Sequence, residues 1–340
     1  MASARDVSIV IPTWNGRHLL ERFLPSVIAA ASEYAQTTAA SVEVVVVDDG
    51  STDDSPTWLA ERATTSPLPI RAVRQDRNLG FGVACNRGVA EARHPLVLLL
   101  NNDVQIHAKT IAPLVARFDR AGASDPLFAV HCRVLDFDSH DQVGTGKVGG
   151  FRRGFIRVHR SYVTSGPAIG ALPSMFASGG SSMFDRARFL DLGGFDPLFA
   201  PFYFEDVELS YRAWKRGLTV GYEPGSAAWH RFSSTMGARA SSEIRRVSQR
   251  NRLFLNWIHL HDRSWFTQHL LWVSLLLVTT PLTLRLDFAR AVIDALGRLP
   301  DVRARRREEQ ARASRTDRDV IEIFRTLERR DDVRIYDRRS

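Results

Sequence analysis

Short apolar runs alternate with stretches of helical periodicity over the first hundred residues. Val7-Ser8-Ile9-Val10-Ile11 reads as a buried strand stopped by Pro12. Leu19, Leu20, Phe23, Leu24, Val27 and Ile28 then recur at helical spacing over about 18–31. Residues 42–47 (VEVVVV), 70–73 and 96–100 (LVLLL) read as further strands, with helices expected over 55–63 and from Gly80 through Val89. Strands apolar throughout are covered on both faces, so the pattern predicts an α/β fold with a parallel sheet between helices. Ligands of such sheets bind beyond the carboxyl ends of the strands. Thr13-Trp14-Asn15, Asp48-Asp49 and Asn101-Asn102-Asp103 all fall there. Any one of these clusters is ordinary turn or N-cap chemistry; three on one sheet edge point to a site.

The pattern fades over 126–176, where one strand is expected at 128–130 and the glycine-rich, basic tract 144–154 reads as a mobile loop or hairpin. Residues 177–234 gather candidate chemistry: Ser178-Gly179-Gly180, a short helix stopped by Gly193-Gly194, the pair Glu205-Asp206 before a helix over 207–216, and His230. From Glu243, Ile244, Val247, Phe254, Trp257 and Ile258 alternate with Arg245, Arg246, Arg250 and Arg252. This predicts a basic amphipathic helix, lying on anionic lipid or packed on the preceding domain. Residues 264–284 carry no charge and just reach the ~20 residues of a membrane span. Gln268, His269, Thr279-Thr280 and Pro281 interrupt them, so interfacial, buried and spanning placements stay open. Residues 301–340 read as a solvated helix with a loose end. The expected division is 1–240 catalytic, 241–300 an amphipathic and apolar helical segment, and 301–340 a charged helical tail.

Composition narrows the classes. All but three of the 46 basic residues are arginine and the net charge is +8. That suits acidic partners such as nucleoside diphosphates or an anionic membrane surface, or reflects arginine usage alone. No nucleic-acid-binding module is visible, so no nucleic acid is expected. Two distant cysteines without Cys-x-x-Cys fit a reducing compartment and no structural zinc. The first apolar run is too short for a signal peptide. The first strand is followed by PTWNG, not by Gly-x-Gly-x-x-Gly, and no phosphate loop of the Gly-x-x-x-x-Gly-Lys type occurs.

VSIVIPTWNG, VVVVDDGSTDDS, NLGFGVACNRGV, LLLNNDV, ASGGSSMFDRARFLDLGGFD, YFEDVELSYRAWKRG and the later His230 occur in one order. That order resembles the family 2 glycosyltransferases of the GT-A fold, nearest their bacterial rhamnosyltransferase-like branch, over about residues 7–260. The resemblance implies a Rossmann-like, mostly parallel sheet with helices on both faces, then a carboxy-terminal helical membrane-associating segment. It implies an inverting, metal-dependent transferase of cell-surface polysaccharide synthesis, peripheral on the cytoplasmic face of the bacterial cell membrane. The donor would be a nucleoside-diphosphate sugar, dTDP-rhamnose first and a UDP-hexose as the alternative. The acceptor would be a saccharide or lipid-linked saccharide. A non-catalytic sugar-nucleotide-binding scaffold and self-association both stay open.

The same resemblance assigns roles. Pro12, Thr13 and Trp14 wall the base and ribose; Trp14 as a core aromatic is the alternative. Asp49 accepts a hydrogen bond from a pyrimidine, with Asp48 its neighbour, and Gly80, Gly82 and Asn86 border the diphosphate. A leaving diphosphate calls for a hard cation with oxygen ligands, Mg²⁺ or Mn²⁺. Asp103 is the expected ligand, preceded by Asn101 and Asn102 where the family often has Asp-x-Asp, and His230 completes the set. Gly179 and Gly180 pass close to the donor sugar. Asp206 is the expected general base, with Glu205 its supporting acid; Asp206 as a helix N-cap is the bland alternative.

Overall fold

The computed structural model describes residues 5–122, 125–165, 172–231, 241–283 and 286–337. β1 (Val7–Thr13), α1 (Arg17–Thr38), β2 (Val42–Asp48), α2 (Ser55–Thr65), β3 (Ile70–Arg74), α3 (Phe81–Glu91) and β4 (Leu96–Leu100) alternate, and the four strands pair in parallel. Side chains of successive strand residues point to opposite faces, and the core divides accordingly. Val7, Ile9, Ile11, Val44, Val46, Leu96 and Leu98 lie in one cluster, and Val10, Val45, Val47, Val97 and Leu99 in the other. Both faces are covered, as the unbroken apolar runs require. Gly88 lets α3 rest on β1: a Cβ there would strike Val10. The first helix runs on past the expected 31 to Thr38 because Tyr34 extends its buried stripe.

Beyond β4 come β5 (Val104–Ile106), α4 (Ile111–Arg120), β6 (Leu127–Asp136), β7 (Gln142–Gly144), β8 (Gly146–Arg152) and β9 (Phe155–Thr164). Then follow β10 (Ser181–Asp185), α5 (Arg186–Asp191), a 3₁₀ turn (Pro197–Phe199), α6 (Glu205–Lys215) and β11 (Thr219–His230). The main sheet runs β3-β2-β1-β4-β10-β6-β11-β5, with β7 on β6. β10 is antiparallel to both neighbours, and β6 and β11 are parallel to each other. The region expected to hold one strand thus holds four. Tract 144–154 is the hairpin of the two readings offered. Its signal was masked by buried polar side chains such as Lys147, whose Nζ lies 3.4 Å from Ser161 Oγ.

The carboxy-terminal part consists of α7 (Ser241–His259), α8 (Arg263–Thr283), α9 (Leu286–Leu296), α10 (Leu299–Arg312), α11 (Asp317–Glu328) and β12 (Val333–Asp337). α7 packs on the preceding domain, one of the two placements left open: Asn251, Leu253, Phe254, Leu255, Asn256, Ile258 and His259 are all buried. Among the described residues no helix is long and apolar enough to cross a membrane. α8 instead buries one face, through Trp265, His269 and Val273. The tail is not loose. α11 sinks Val320, Ile321, Phe324 and Leu327 into the core, and β12 joins β9 and β8 in a small antiparallel sheet.

Candidate active site

The ends of β1, β2 and β4 converge. Pro12, which has no N–H, sits where β1 still pairs with Val47 but has parted from β4. Thr13 Oγ1 accepts from Asn102 Nδ2 at 2.9 Å, and Asp49 N donates to Thr13 O at 2.8 Å. Trp14 is 42% exposed, so the core reading fails and its indole is free to meet a ligand. Asn15, unnoticed in the sequence as more than a turn residue, takes φ +48 and ties this end to the next. Its Oδ1 accepts from Thr52 N and its N–H donates to Ser51 Oγ, both at 2.8 Å. Asp48 Oδ1 accepts from Ser51 N at 3.2 Å, and its Oδ2 lies 3.5 Å from Arg74 Nε.

Asp49 spends its carboxylate on its own chain. Oδ1 accepts from Gln75 Nε2 (2.6 Å) and Leu79 N (2.8 Å), and Oδ2 from Gly80 N (2.9 Å). Burial pushes its pKa up, and these hydrogen bonds offset only part of that. The residue fixes the loop that opens α3. Asn86 is similarly committed: its Nδ2 donates to Phe195 O and its Oδ1 accepts from Phe195 N, both at 2.8 Å. It clamps α3 to the Gly194-Phe195 turn, behind the wall that Gly80 and Gly82 form. They line a crevice with Leu79, Val83, Phe202 and Glu205.

Asp103 and His230 meet through backbone register. β11 pairs antiparallel with β5 so that His230 faces Val104, and Arg231 N donates to Asp103 O at 3.1 Å. His230 Nε2 consequently lies 2.9 Å from Asp103 Oδ1 and 3.5 Å from Asn101 Nδ2. Asn101 Oδ1 is buried and accepts no hydrogen bond from the protein, while the buried Asp103 Oδ1 has the His230 ring nitrogen against it. A buried amide oxygen without a donor, next to a carboxylate and an imidazole, is what a cation completes. No group of three His, Cys, Asp or Glu side chains placed to hold a metal ion occurs among the described residues. Two protein ligands with an amide beside them suit an ion that takes its remaining oxygens from phosphate and water.

Gly180 links this cluster to the acid pair. Asn101 N donates to Gly180 O at 3.1 Å, and a Cβ on Gly180 would fall 2.5 Å from the Asn101 carboxamide. Gly179 N reaches Asp206 Oδ2 at 3.4 Å. Glu205 and Asp206 lie within the first turn of α6, two residues earlier than expected, with Phe204 in the N-cap position. Asp206 is therefore not the N-cap, although both acids favour a helix start. Burial, and then the neighbouring Asp206, push Glu205 up to about 8, and its Oε2 is buried without a partner. Two carboxyls side by side thus differ in role: Glu205 holds its proton at neutral pH.

The model of glycosyl transferase family 2 matches residues 8–192, more than half of the chain, and that of glycosyl transferase family group 2 matches residues 130–293. The chain belongs to glycosyl transferase family 2. Undecaprenyl-phosphate 4-deoxy-4-formamido-L-arabinose transferase of Klebsiella pneumoniae is 33% identical over 115 residues, 34% of each chain. Succinoglycan biosynthesis protein ExoO of Rhizobium meliloti is 33% identical over 118 residues, 35% of this chain and 31% of that one. The match thus spans about a third of the length of these relatives. Among solved structures, GalNAc-T7 with UDP, GalNAc and Mn²⁺ aligns at TM-score 0.62 and 20% identity, over 77% of this chain and 49% of that one. Mannosyltransferase PcManGT of Pyrobaculum calidifontis, with GDP-Man and Mn²⁺, aligns at 0.54 and 17%, over 86% and 87%. Residues 1–349 of S. aureus TarS align at 0.52 and 16%, over 95% and 92%. The shared fold is GT-A.

In this family 2 chain the acid pair is held from behind by residues that sequence reasoning passed over. Tyr203 and Phe204 take φ +69 and +73. Asn251 holds that turn, its Nδ2 lying 2.6, 3.0 and 2.8 Å from the carbonyls of Phe199, Phe202 and Tyr203. Arg250 donates to Ala200 O. Further along α6, buried Glu208 meets Arg212 and His259. Burial raises the Glu208 pKa, but Arg212 and His259 outweigh it and bring it to about 2. Asp317 of α11 accepts from Tyr211 (3.0 Å), Lys215 (2.8 Å) and the N–H groups of His261 and Asp262 (both 2.7 Å). The only signal for these partners was polar residues interrupting apolar helix faces.

Proposed function

We propose that this chain is an inverting, divalent-metal-assisted glycosyltransferase acting on a lipid-linked saccharide at the cytoplasmic membrane face, in cell-surface polysaccharide synthesis. The observation that carries this is the seam Asn101–Gly180–Gly179–Asp206, whose hydrogen bonds link the acid pair to the neighbourhood of Asp103 and His230. Trp14, Thr13, Asp48 and the Gly80–Gly82 wall form the donor half, and Gly179 and Gly180 line the sugar. Asp206 takes the proton from an acceptor hydroxyl. The hydroxyl oxygen bonds to the anomeric carbon as the bond from that carbon to the diphosphate oxygen breaks on the opposite face. Configuration inverts in one step, and the nucleoside diphosphate leaves with the bonding pair. Asp103 and His230 would hold Mg²⁺ or Mn²⁺, which neutralises charge on the departing diphosphate.

The donor reading is dTDP-rhamnose, supported by the likeness of the motifs to rhamnosyltransferases; a UDP-hexose is the second choice. Structural relatives holding UDP and GDP-Man support a nucleotide sugar without singling out a base. A panel of nucleotide sugars with Mn²⁺ and a polyprenyl-linked saccharide tests this, read as nucleotide release and product mass. Release from dTDP-rhamnose above all others is expected. Release from no donor would sink the enzyme in favour of a binding scaffold.

A further inference from the structure

One edge of the molecule gathers arginines that face each other and, among the described residues, form no ion pair. β8 and β9 join through a two-residue turn whose Arg153 and Gly154 both take positive φ, +50 and +73. Arg152 and Arg153 are exposed at its tip. Arg157 follows on β9, and Arg252 approaches from α7. Their guanidinium carbons both sit over the ring of Phe155, 5.5 and 4.2 Å from its centroid. The Nε atoms of Arg157 and Arg252 are buried without a hydrogen-bond partner. After burial, the charges acting on Arg157 are Arg153 and Arg152, and the charge acting on Arg252 is Arg157. Other buried or half-buried arginines of this chain are held by carboxylates, as Arg212 is by Glu208 and Arg216 by Glu309, or by backbone carbonyls, as Arg306 is by those of Trp257 and Leu260. Like charges brought together and partly desolvated are costly. An oxyanion accepting several guanidinium N–H groups removes that cost.

The turn is seated on α8. Gly154 O accepts from His269 Nδ1 at 2.7 Å, Phe151 stacks on Trp265 at 4.4 Å, and a Cβ on Gly154 would meet Trp272 at 2.8 Å. His269 also accepts from Trp257 Nε1 at 3.0 Å, locking α8 to α7. Beside this seat an apolar row continues along α8: Leu271, Leu275 and Val278 are 65%, 49% and 75% exposed. Their spacing of four and three residues puts them on one face, about 10 Å long. α9 adds exposed Leu286 and Ile293, and α8 contains no acidic residue. Just before Arg252 along α7, Arg250 and Asn251 hold the loop that leads into Glu205 and Asp206. An unpaired cationic cluster at one end of an exposed apolar row complements a phosphate carried on a hydrocarbon chain.

We propose that this edge docks the lipid of a polyprenyl-linked acceptor: Arg152, Arg153, Arg157 and Arg252 take its phosphate groups, and Leu271, Leu275 and Val278 enter the acyl layer. It rests on the reading that the acceptor is lipid-linked, and it names where that lipid is held. Membrane attachment then comes from α8 and its neighbouring hairpin, not from α7.

The full chain, without donor, is sedimented with vesicles of phosphatidylcholine alone, with phosphatidylglycerol, or with polyprenyl diphosphate at the same surface charge. Retention is expected to be strongest on polyprenyl diphosphate and to fall by roughly tenfold to a hundredfold in Arg152→Glu/Arg153→Glu. Leu271→Asp/Val278→Asp is expected to lose retention on all three. Thermal melting of each variant reports that it is folded, and Arg152→Gln/Arg153→Gln serves if reversal destabilises the turn. Equal retention on phosphatidylglycerol and polyprenyl diphosphate overturns the phosphate assignment, as does full retention by the arginine variants. A chain that releases nucleotide from no donor yet shows this arginine-dependent retention would overturn the transferase reading and keep the docking edge. A turning-over enzyme indifferent to these arginines would do the reverse.

Discussion

His230 Nε2 lies 2.9 Å from Asp103 Oδ1, and the pairing of β11 with β5 alone brings them together. If the pair holds the metal, Asp103→Ala and His230→Ala each cut turnover by about 10²- to 10³-fold, the rate equivalent of several kcal/mol of charge stabilisation. The double variant should be little worse than either single one, because the two act as a unit. Titration of nucleoside diphosphate with and without Mn²⁺ checks it: a wild type indifferent to Mn²⁺ removes the metal from the site.

Asp206→Asn keeps the shape of the first turn of α6 but cannot accept the proton. Turnover is expected to fall by about 10²- to 10⁴-fold, with nucleoside diphosphate affinity unchanged. Steady-state rates beside calorimetric binding separate the two, and near-normal turnover would move the base elsewhere.

Glu205 makes stability depend on pH. Its folded pKa of about 8 stands above the ordinary 4.5, because burial, and then Asp206, disfavour its charge. Between those values the native chain keeps a proton that the unfolded chain releases. Its contribution is therefore most favourable below about 4.5 and declines as pH rises through about 8. Glu205→Gln should melt higher than wild type at pH 8 and much like it at pH 4.5. Parallel melting curves across that range would show that Glu205 titrates normally.

Gly180→Ala places a Cβ 2.5 Å from the Asn101 carboxamide. Overpacking of this kind costs about 1–3 kcal/mol. The displacement falls on Asn101 beside the metal ligands, so kcat is expected to drop more than stability. An active Gly180→Ala enzyme of lowered Tm would make the glycine structural only.

Asp317→Ala strands buried Lys215 and Tyr211 and the N–H groups of His261 and Asp262. Removing one partner of a buried pair costs about 3–5 kcal/mol. Chemical denaturation should show that loss, together with weakened activity through α6. Unchanged stability would mean that the carboxy-terminal helices do not brace the acid pair.

Much of the donor half was legible because its strands are local and two-sided. VSIVI, VEVVVV and LVLLL announce buried strands, and the polar residues that end them must lie on one sheet edge. The acceptor half was legible only as a set of residue types. Asn86 and Asp49 show the limit: both stand where ligand contacts were expected, and both turn their polar atoms to their own chain. The basic spacing of α7 left a lipid surface and packing on the preceding domain equally open, and the buried Asn251, Asn256 and His259, each bonded to a distant element, decide for packing. A buried polar residue with a partner looks, in one dimension, like an exposed one.

The sequence by itself determined the parallel βα half, the order of its polar strand ends, and family membership through motifs such as PTWNG, DDGS, NND and FED. These are local facts, set by side-chain periodicity and turn chemistry. Tertiary structure decided the rest. Insertion of antiparallel β10 beside β4 set Gly180 against Asn101, and the register of β11 on β5 joined His230 to Asp103. Packing of α7 and α11 behind α6 made a charged tail part of the core. Each depends on contacts between residues far apart in the chain, whose partners are chosen by closure of the sheet and by desolvation, not by the neighbours of each residue in sequence.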